Sequence, residues 1–304
     1  MQVQSHDIAA ELDLQCPPLP QTLLEAIELS NQVEPIEVEQ AVKLVEKDPV
    51  VITRLLRIVN SAYFAQQGHI TSIPRAVMIL GPSAVVGVVM GMSMMNMRSV
   101  LDRAAAVPFM SLIRHSIATA FLAQRLVQRD PDFNPKDPSS ADLPGMAFTA
   151  GMLHDLGKLV LLYNFPGKAV AYYNSGAHTD PGSLDAERKA LKYDHVAAGS
   201  LFTEKLNLPV SLTEAIRYHH DLPTADSKPR SFKKILYAIV CASKVASSLG
   251  YAFDRPLTWE KCLSDPVWAR VVEQRIFGYP KASQIIEEMV DAKLRLEAYL
   301  DSVF

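Results

Sequence analysis

Residues 150–161, AGMLHDLGKLVL, set His154 and Asp155 side by side in an otherwise apolar run. A charge in such a setting is costly unless it is paired or bound to a metal. The pair can therefore serve a metal, a phosphate, or a hydrogen bond that only holds the fold. Of eight histidines, His6, His69 and His178 lie in polar or turn-rich surroundings. The other five fall on helical segments of the second half: His115 in LIRHSIATA, His154 itself, His195 in YDHVAAG, and His219 with His220 closing AIRYHH. Taken singly, a helical histidine is most often packed and hydrogen-bonded. Imidazoles and a carboxylate supplied from several separate helices are, however, how a helical bundle builds a metal site, and this donor mix suits Fe, Mn, Zn, Ni or Mg.

The elements that must position these residues read as helices throughout. PQTLLEAIELSNQV places Leu23, Leu24, Ile27 and Val33 along one stripe, and IEVEQAVKLVEKD repeats the pattern through Val38, Val42 and Val45. Asp48-Pro49 ends that helix, and Pro49 starts the next, PVVITRLLRIVNSAYF. FMSLIRHSIATAFLAQRLVQRD is a candidate long helix with an apolar face of Leu112, Ile113, Ile117, Ala120, Phe121 and Leu126. DPDFNPKDPSSADLP is a loop. The His154 helix and further helical segments follow, and no alternating run is bounded by hairpin turns. The fold class is all-α.

The chain has 304 residues, 49% hydrophobic and 21% charged, which describes a globular protein with room for a sizeable core. A net charge of −3 gives no reason to expect nucleic acid or an anionic membrane as partner. Cys16, Cys241 and Cys262 form no CxxC pair, and the amino terminus lacks the pattern of a signal peptide. Both point to a reduced, cytoplasmic setting. Ala76 to Met97 carries no charge and is long enough for a bilayer span, but Gly81-Pro82-Ser83 breaks it, so two short buried helices are expected. Met90, Met92, Met94, Met95 and Met97 within it form either a helix core or an adaptable binding groove.

The order His115, His154-Asp155, His195, His219 resembles the ligand series of HD-superfamily phosphohydrolases. PPLPQTLLEAIEL, LVEKDPVVITRLLRIVNSAYF and ITSIPRAVMILG resemble more narrowly the HDOD family, the HD-related output domains of bacterial signalling proteins. Asp48-Pro49, Asn60-Ser61-Ala62 and Leu80-Gly81 match its most recognisable positions, and LHDLGKLVL, DHVAAGSLF and YHH extend the likeness over roughly residues 15–250. The resemblance implies an N-terminal helical lobe, residues 1–105, packed on an HD-like helical bundle, 106–255, with 256–304 as a helical cap. It also implies a regulatory role, commonly without catalysis.

The resemblance marks His115, His154, Asp155, His195 and His219 as metal ligands. The chain departs from the pattern at its last ligand. HD enzymes carry a final Asp on a later helix; the matching stretch here is VCASKVA, with Ser243 in that place and no acidic residue between Lys233 and Tyr251. Three readings follow: a hydrogen-bonded polar core inherited from a metal-binding ancestor, one metal held by His115, His154 and Asp155 with His195 or His219 nearby, or a two-metal phosphohydrolase. In the last, Asp155 would bridge and Lys158 would meet a phosphate as a point charge. The missing carboxylate favours at most one ion and binding of a signalling protein or small ligand over turnover. Asp48, Asn60 and Ser61 are expected to fix by capping and hydrogen bonding how the two lobes meet, and so to form the signalling interface. Two motifs are set aside: GMLHDLGK lacks the spacing and the Ser/Thr of a phosphate-binding loop, and FGYP at 277–280 comes too late in the chain for an HD-GYP motif.

Overall fold

A computed structural model describes residues 14–15, 17, 19–30, 35–61, 68–101, 103–137, 140–175, 183–253 and 256–303. Among them every regular element is a helix. His6, Cys16, Val33, Ala62 and His178 lie outside the described residues.

Among the described residues, five helices come first: α1 (Gln21–Ser30), α2 (Val38–Glu46), α3 (Pro49–Asn60), α4 (Ile73–Leu80) and α5 (Pro82–Asn96). Local chemistry sets their ends. Asp48 accepts from the Val50 N–H at 2.8 Å and Pro49 fills the first position of α3, so that helix starts where its fixed φ is useful. The uncharged stretch is two helices, as its Gly-Pro implies. Gly81 sits at φ +87°, a conformation costly to residues with a Cβ, and α4 and α5 meet there at 104°. Every residue of α5 from Ser83 to Met94 is buried. Met90, Met92, Met94 and Met97 are core, and Met95 is half-buried against Arg54, so the methionines form no open groove.

The second half contains α6 (Ala106–Arg129), α7 (Leu143–Leu153), α8 (Leu156–Asn164), α9 (Pro166–Ser175), α10 (Ser183–Leu191), α11 (His195–Lys205), α12 (Val210–Tyr218) and α13 (Arg230–Ser248). The long α6 is the spine: α7 and α13 both pack on it, and all six apolar residues assigned to its face are buried. On length and composition α6 could cross a membrane, but 72% of its apolar window is enclosed by other helices. The N-terminal lobe meets this bundle mainly through α5 on α7. Ser83 donates to Asp142 at 2.6 Å and Thr149 donates to the Ser83 carbonyl at 3.0 Å across that junction. The apolar void beneath it, between Leu23, Met90, Leu156 and Phe202, is only about 10 Å³, no more than one water could fill.

α14 (Trp259–Leu263), α15 (Val267–Glu273), α16 (Ala282–Val290) and α17 (Lys293–Val303) complete the chain. The last packs on both α3 and α6, so the C-terminal segment ties the lobe to the bundle rather than only capping it. FGYP has a structural task. The Gly278 N–H donates to Asp130 at 2.7 Å, and the Tyr279 hydroxyl donates to the Arg129 carbonyl at 2.6 Å, clamping this segment to the end of α6.

The expected bonding of Asp48, Asn60 and Ser61 across the two lobes is not what the described residues show. Asp48 caps α3, and Ser61 donates to the Ile58 carbonyl at 2.7 Å. The Asn60 amide donates to the Leu56 and Ile70 carbonyls and accepts from the Ile70 N–H, each at 2.7 Å. These bonds are the capping and pairing expected, yet all stay inside the N-terminal lobe. A side chain that closes a turn beside its own helix has no reach left for the next lobe, and Ser83, Asp142 and Thr149 span the junction instead.

Candidate metal centre

The run AGMLHDLGKLVL is not one helix. α7 stops at Leu153, His154 is its C-terminal cap, and Asp155, at φ −100° and ψ 15°, caps the start of α8. The break turns both side chains of the pair to the same side and places the Asp155 carboxylate at the positive end of α8. Gly157 makes the next approach possible. A Cβ there would lie 1.7 Å from the His195 carbonyl oxygen, so only glycine lets α8 and the start of α11 cross this closely. Asp194 fixes that start by accepting from the Ala197 N–H at 2.7 Å, with Arg188 paired to its other oxygen.

The result is a cluster around one carboxylate. Asp155 Oδ2 lies 3.7 Å from His115 Nε2, 3.4 Å from His154 Nε2 and 2.8 Å from Lys158 Nζ. Its Oδ1 lies 3.5 Å from His195 Nε2 and 3.7 Å from His219 Nε2. All the sequence-derived candidates therefore converge. Two groups of three have donor atoms close enough to share an ion: His115 with His154 and Asp155, and His195 with His219 and His220.

Hydrogen bonds on the far side of each ring decide which nitrogen faces inward. Nδ1 of His115 meets the Tyr251 carbonyl at 2.9 Å, that of His154 the Gly151 carbonyl at 2.8 Å, and that of His219 the Ile216 carbonyl at 2.6 Å. His195 Nδ1 meets the Glu187 carboxylate at 2.7 Å. A carbonyl can only accept, so the proton is assigned to Nδ1 and the inward Nε2 is left with its lone pair. That is the tautomer a metal requires. His154 Nε2 is buried with no hydrogen-bond partner at all.

His195 Nε2 lies 3.3 Å from His219 Nε2 and 3.1 Å from His220 Nε2. Lone pairs crowd at that range unless a hydrogen, such as a neutral His220 Nε2–H, or a metal ion lies between them. Ligand nitrogens at 2.0–2.1 Å from a tetrahedral ion are themselves about 3.3 Å apart. The residues present thus fit a metal, and burial works against an added proton here: it lowers both His219 and His220. Burial also works against the Asp155 charge, but the Lys158 ammonium and the surrounding His154, His219 and His195 together outweigh it and hold this carboxyl well below its usual range.

The two groups differ. At the first, the Ser243 hydroxyl on α13 lies 3.2 Å from His115 Nε2 and, given that tautomer, donates to it. Ser243 therefore stands in the cluster as the missing carboxylate would, but as a neutral donor rather than an anionic ligand. Lys158 lies on Asp155 and 5.1 Å above the Phe253 ring. A cavity of about 140 Å³ opens onto both groups, lined by His115, His154, His219, His220, Lys158 and Lys244.

His220 and Glu187 are additions to the sequence-derived set. Adjacent residues on a helix point about 100° apart, so His219-His220 reads as one inward and one outward ring. Because α12 ends at Tyr218, both lie in a turn and reach the cluster, their centroids 4.3 Å apart. Nothing in LDAERKALKYD distinguishes Glu187 from its solvated neighbours.

The HDOD domain matches residues 16–222, more than half the chain. The chain belongs to the HDOD family. A curated relative of Treponema pallidum, an uncharacterized protein, is 23% identical over 247 residues; these cover 80% of this chain and 45% of the relative, so the chain spans about half its length. Among solved structures, an HDOD domain protein of unknown function from Geobacter sulfurreducens superposes with a TM-score of 0.72 at 19% identity, covering 98% of this chain and 97% of that one. A candidate phosphohydrolase from Shewanella amazonensis gives 0.63 at 20% identity, covering 97% and 96%. A candidate signal transduction protein from Marinobacter aquaeolei gives 0.66 at 21% identity, covering 98% of this chain and 64% of that one. At such identities the likeness is one of fold.

Proposed function

We propose that this HDOD protein is a cytoplasmic bacterial regulatory module that holds one divalent cation and binds a signalling protein or small ligand, without turnover. The observation that carries the reading is the 3.3 Å approach of His195 Nε2 to His219 Nε2, two inward nitrogens spaced as ligands of one ion would be. His195, His219 and His220 would hold the ion, with Asp155 Oδ1 beside it. Donors this rich in nitrogen suit Zn, Fe or Ni better than Mg. The second group is poorer as a site: Ser243 already bonds His115, and Lys158 already neutralises Asp155 Oδ2. One cation beside an anchored lysine suits a small anionic ligand bearing a phosphoryl or carboxylate group. The cavity of about 140 Å³ is small beside the roughly 300–1,000 Å³ usual for sites that enclose a drug-sized molecule.

A second reading, a metal-dependent phosphohydrolase, is favoured by the position of Asp155, whose Oδ2 faces His115 and His154 while its Oδ1 faces His195 and His219, since a bridging carboxylate is what a two-ion site uses. A screen over cyclic dinucleotides, nucleoside triphosphates and simple phosphate esters separates the two. The metal-loaded protein should show no turnover above a His154→Ala control. Robust turnover that disappears in that control would establish the second reading instead.

A further inference from the structure

Glu187 is the other buried carboxylate beside the cluster, and it touches only one of the histidines. Its Oε2 accepts from both the main-chain N–H and the Nδ1 of His195, each at 2.7 Å, and its Oε1 accepts from the Tyr173 hydroxyl at 2.7 Å. The main-chain N–H can only donate, and the His195 Nδ1–H and the Tyr173 hydroxyl can donate as well, so the ionised carboxylate finds a donor at every one of these bonds. The other Nδ1 atoms of the cluster for which a partner is assigned, those of His115, His154 and His219, donate instead to neutral main-chain carbonyls. A ring that donates to a carboxylate is a stronger base at its opposite nitrogen, and its plane and tautomer are fixed.

The geometry points to Glu187 as a positioning residue: by clamping His195 at two nitrogens and charging the far side of its ring, it makes His195 Nε2 the strongest donor of the cluster and sets its affinity for a cation. Tyr173 on α9 holds the carboxylate in turn, so two helices, α9 and α10, converge on one imidazole. This rests on the metal-binding reading, and its test is chosen so that the two can fail separately. Glu187→Gln is the discriminating variant. Its amide oxygen can still accept both His195 bonds and its NH₂ can face the Tyr173 oxygen, so the hydrogen bonds survive while the charge is lost.

The full-length wild type and Glu187→Gln, both stripped of metal, are titrated with Co²⁺ against a competing chelator while the visible absorption is followed. Glu187→Gln should melt with the metal-free wild type, bind Co²⁺ about 10- to 100-fold more weakly, and show a shifted absorption band, a change that a merely structural residue would not produce. Equal affinity with an identical band overturns the assignment. If the wild type takes up no Co²⁺, the metal-binding reading fails, and nitrogen NMR of the metal-free protein then decides Glu187 alone. His195 fixed as the Nδ1–H tautomer in the wild type and mixed in Glu187→Ala upholds it. An unchanged tautomer in Glu187→Ala overturns it.

Discussion

Gly157 lies so close to His195 that a methyl group on its Cα would meet the His195 carbonyl oxygen at 1.7 Å. This contact joins the two halves of the candidate centre, because Asp155 is two residues before Gly157 and His195 Nε2 is one of the atoms that faces Asp155. The site is thus built at the backbone before any side chain acts.

Gly157→Ala should separate α8 from α11. Overpacking of this kind costs about 1–3 kcal/mol in other cores, and more is expected here because the clash is with backbone rather than a movable side chain. Urea unfolding should show that loss, and whatever fraction remains folded should bind metal more weakly than the wild type. A variant of normal stability and normal metal content would mean that the helices do not approach as described.

Ser243→Asp should complete the weaker group. The substituted carboxylate would face His115, where the hydroxyl now stands 3.2 Å from Nε2, and add the negative charge that the group lacks. Metal analysis after reconstitution should give one more ion per chain than the wild type. Unchanged stoichiometry would show that something other than the missing carboxylate limits loading.

Asn60→Ala should weaken the N-terminal lobe and leave the centre intact. It removes three hydrogen bonds to Leu56 and Ile70, and the orphaned main-chain groups should cost about 1–3 kcal/mol in urea unfolding. Metal content should match the wild type. Its loss would show that the lobe acts on the centre over a distance that the local bonding does not explain.

The metal-free protein should lose stability in mild acid. Burial holds His154 at about 3 in the folded chain, against about 6.5 when unfolded. Between those values the unfolded state binds the extra proton, so stability rises with pH; the contribution is fully present above about 6.5 and is lost as pH falls toward 3. Each such histidine contributes about 1.4 kcal/mol per pH unit below 6.5, and burial lowers His219 in the same sense. Urea midpoints at pH 7.5, 6.5 and 5.5 check the slope, and a flat profile would show that these rings titrate in the fold as they do in the unfolded chain.

The helices were legible in the sequence because their signals are local. The stripe of Leu112, Ile113, Ile117, Ala120, Phe121 and Leu126 marks α6, and Gly81-Pro82 marks the bend between α4 and α5. The identities of His115, His154, Asp155, His195 and His219 were legible for a different reason: histidines on otherwise apolar helices stand out by type. What a single sequence does not carry is direction. The break at His154-Asp155, the turn that brings His220 inward and the burial of Glu187 all arise from how helices meet. The same limit explains Asp48, Asn60 and Ser61, whose polar character signals a bond but not which lobe supplies its partner.

The most direct test of the account is the metal content of chelator-free, purified full-length protein and of its His219→Ala variant, measured by mass spectrometry with protein concentration from amino-acid analysis. The account predicts one transition-metal ion per wild-type chain and its loss from a His219→Ala protein that still folds, because the substitution takes away one of the three nitrogens that would hold the ion. A wild type that stays empty even after incubation with Zn²⁺ or Fe²⁺, or a His219→Ala chain that keeps its ion, would contradict it.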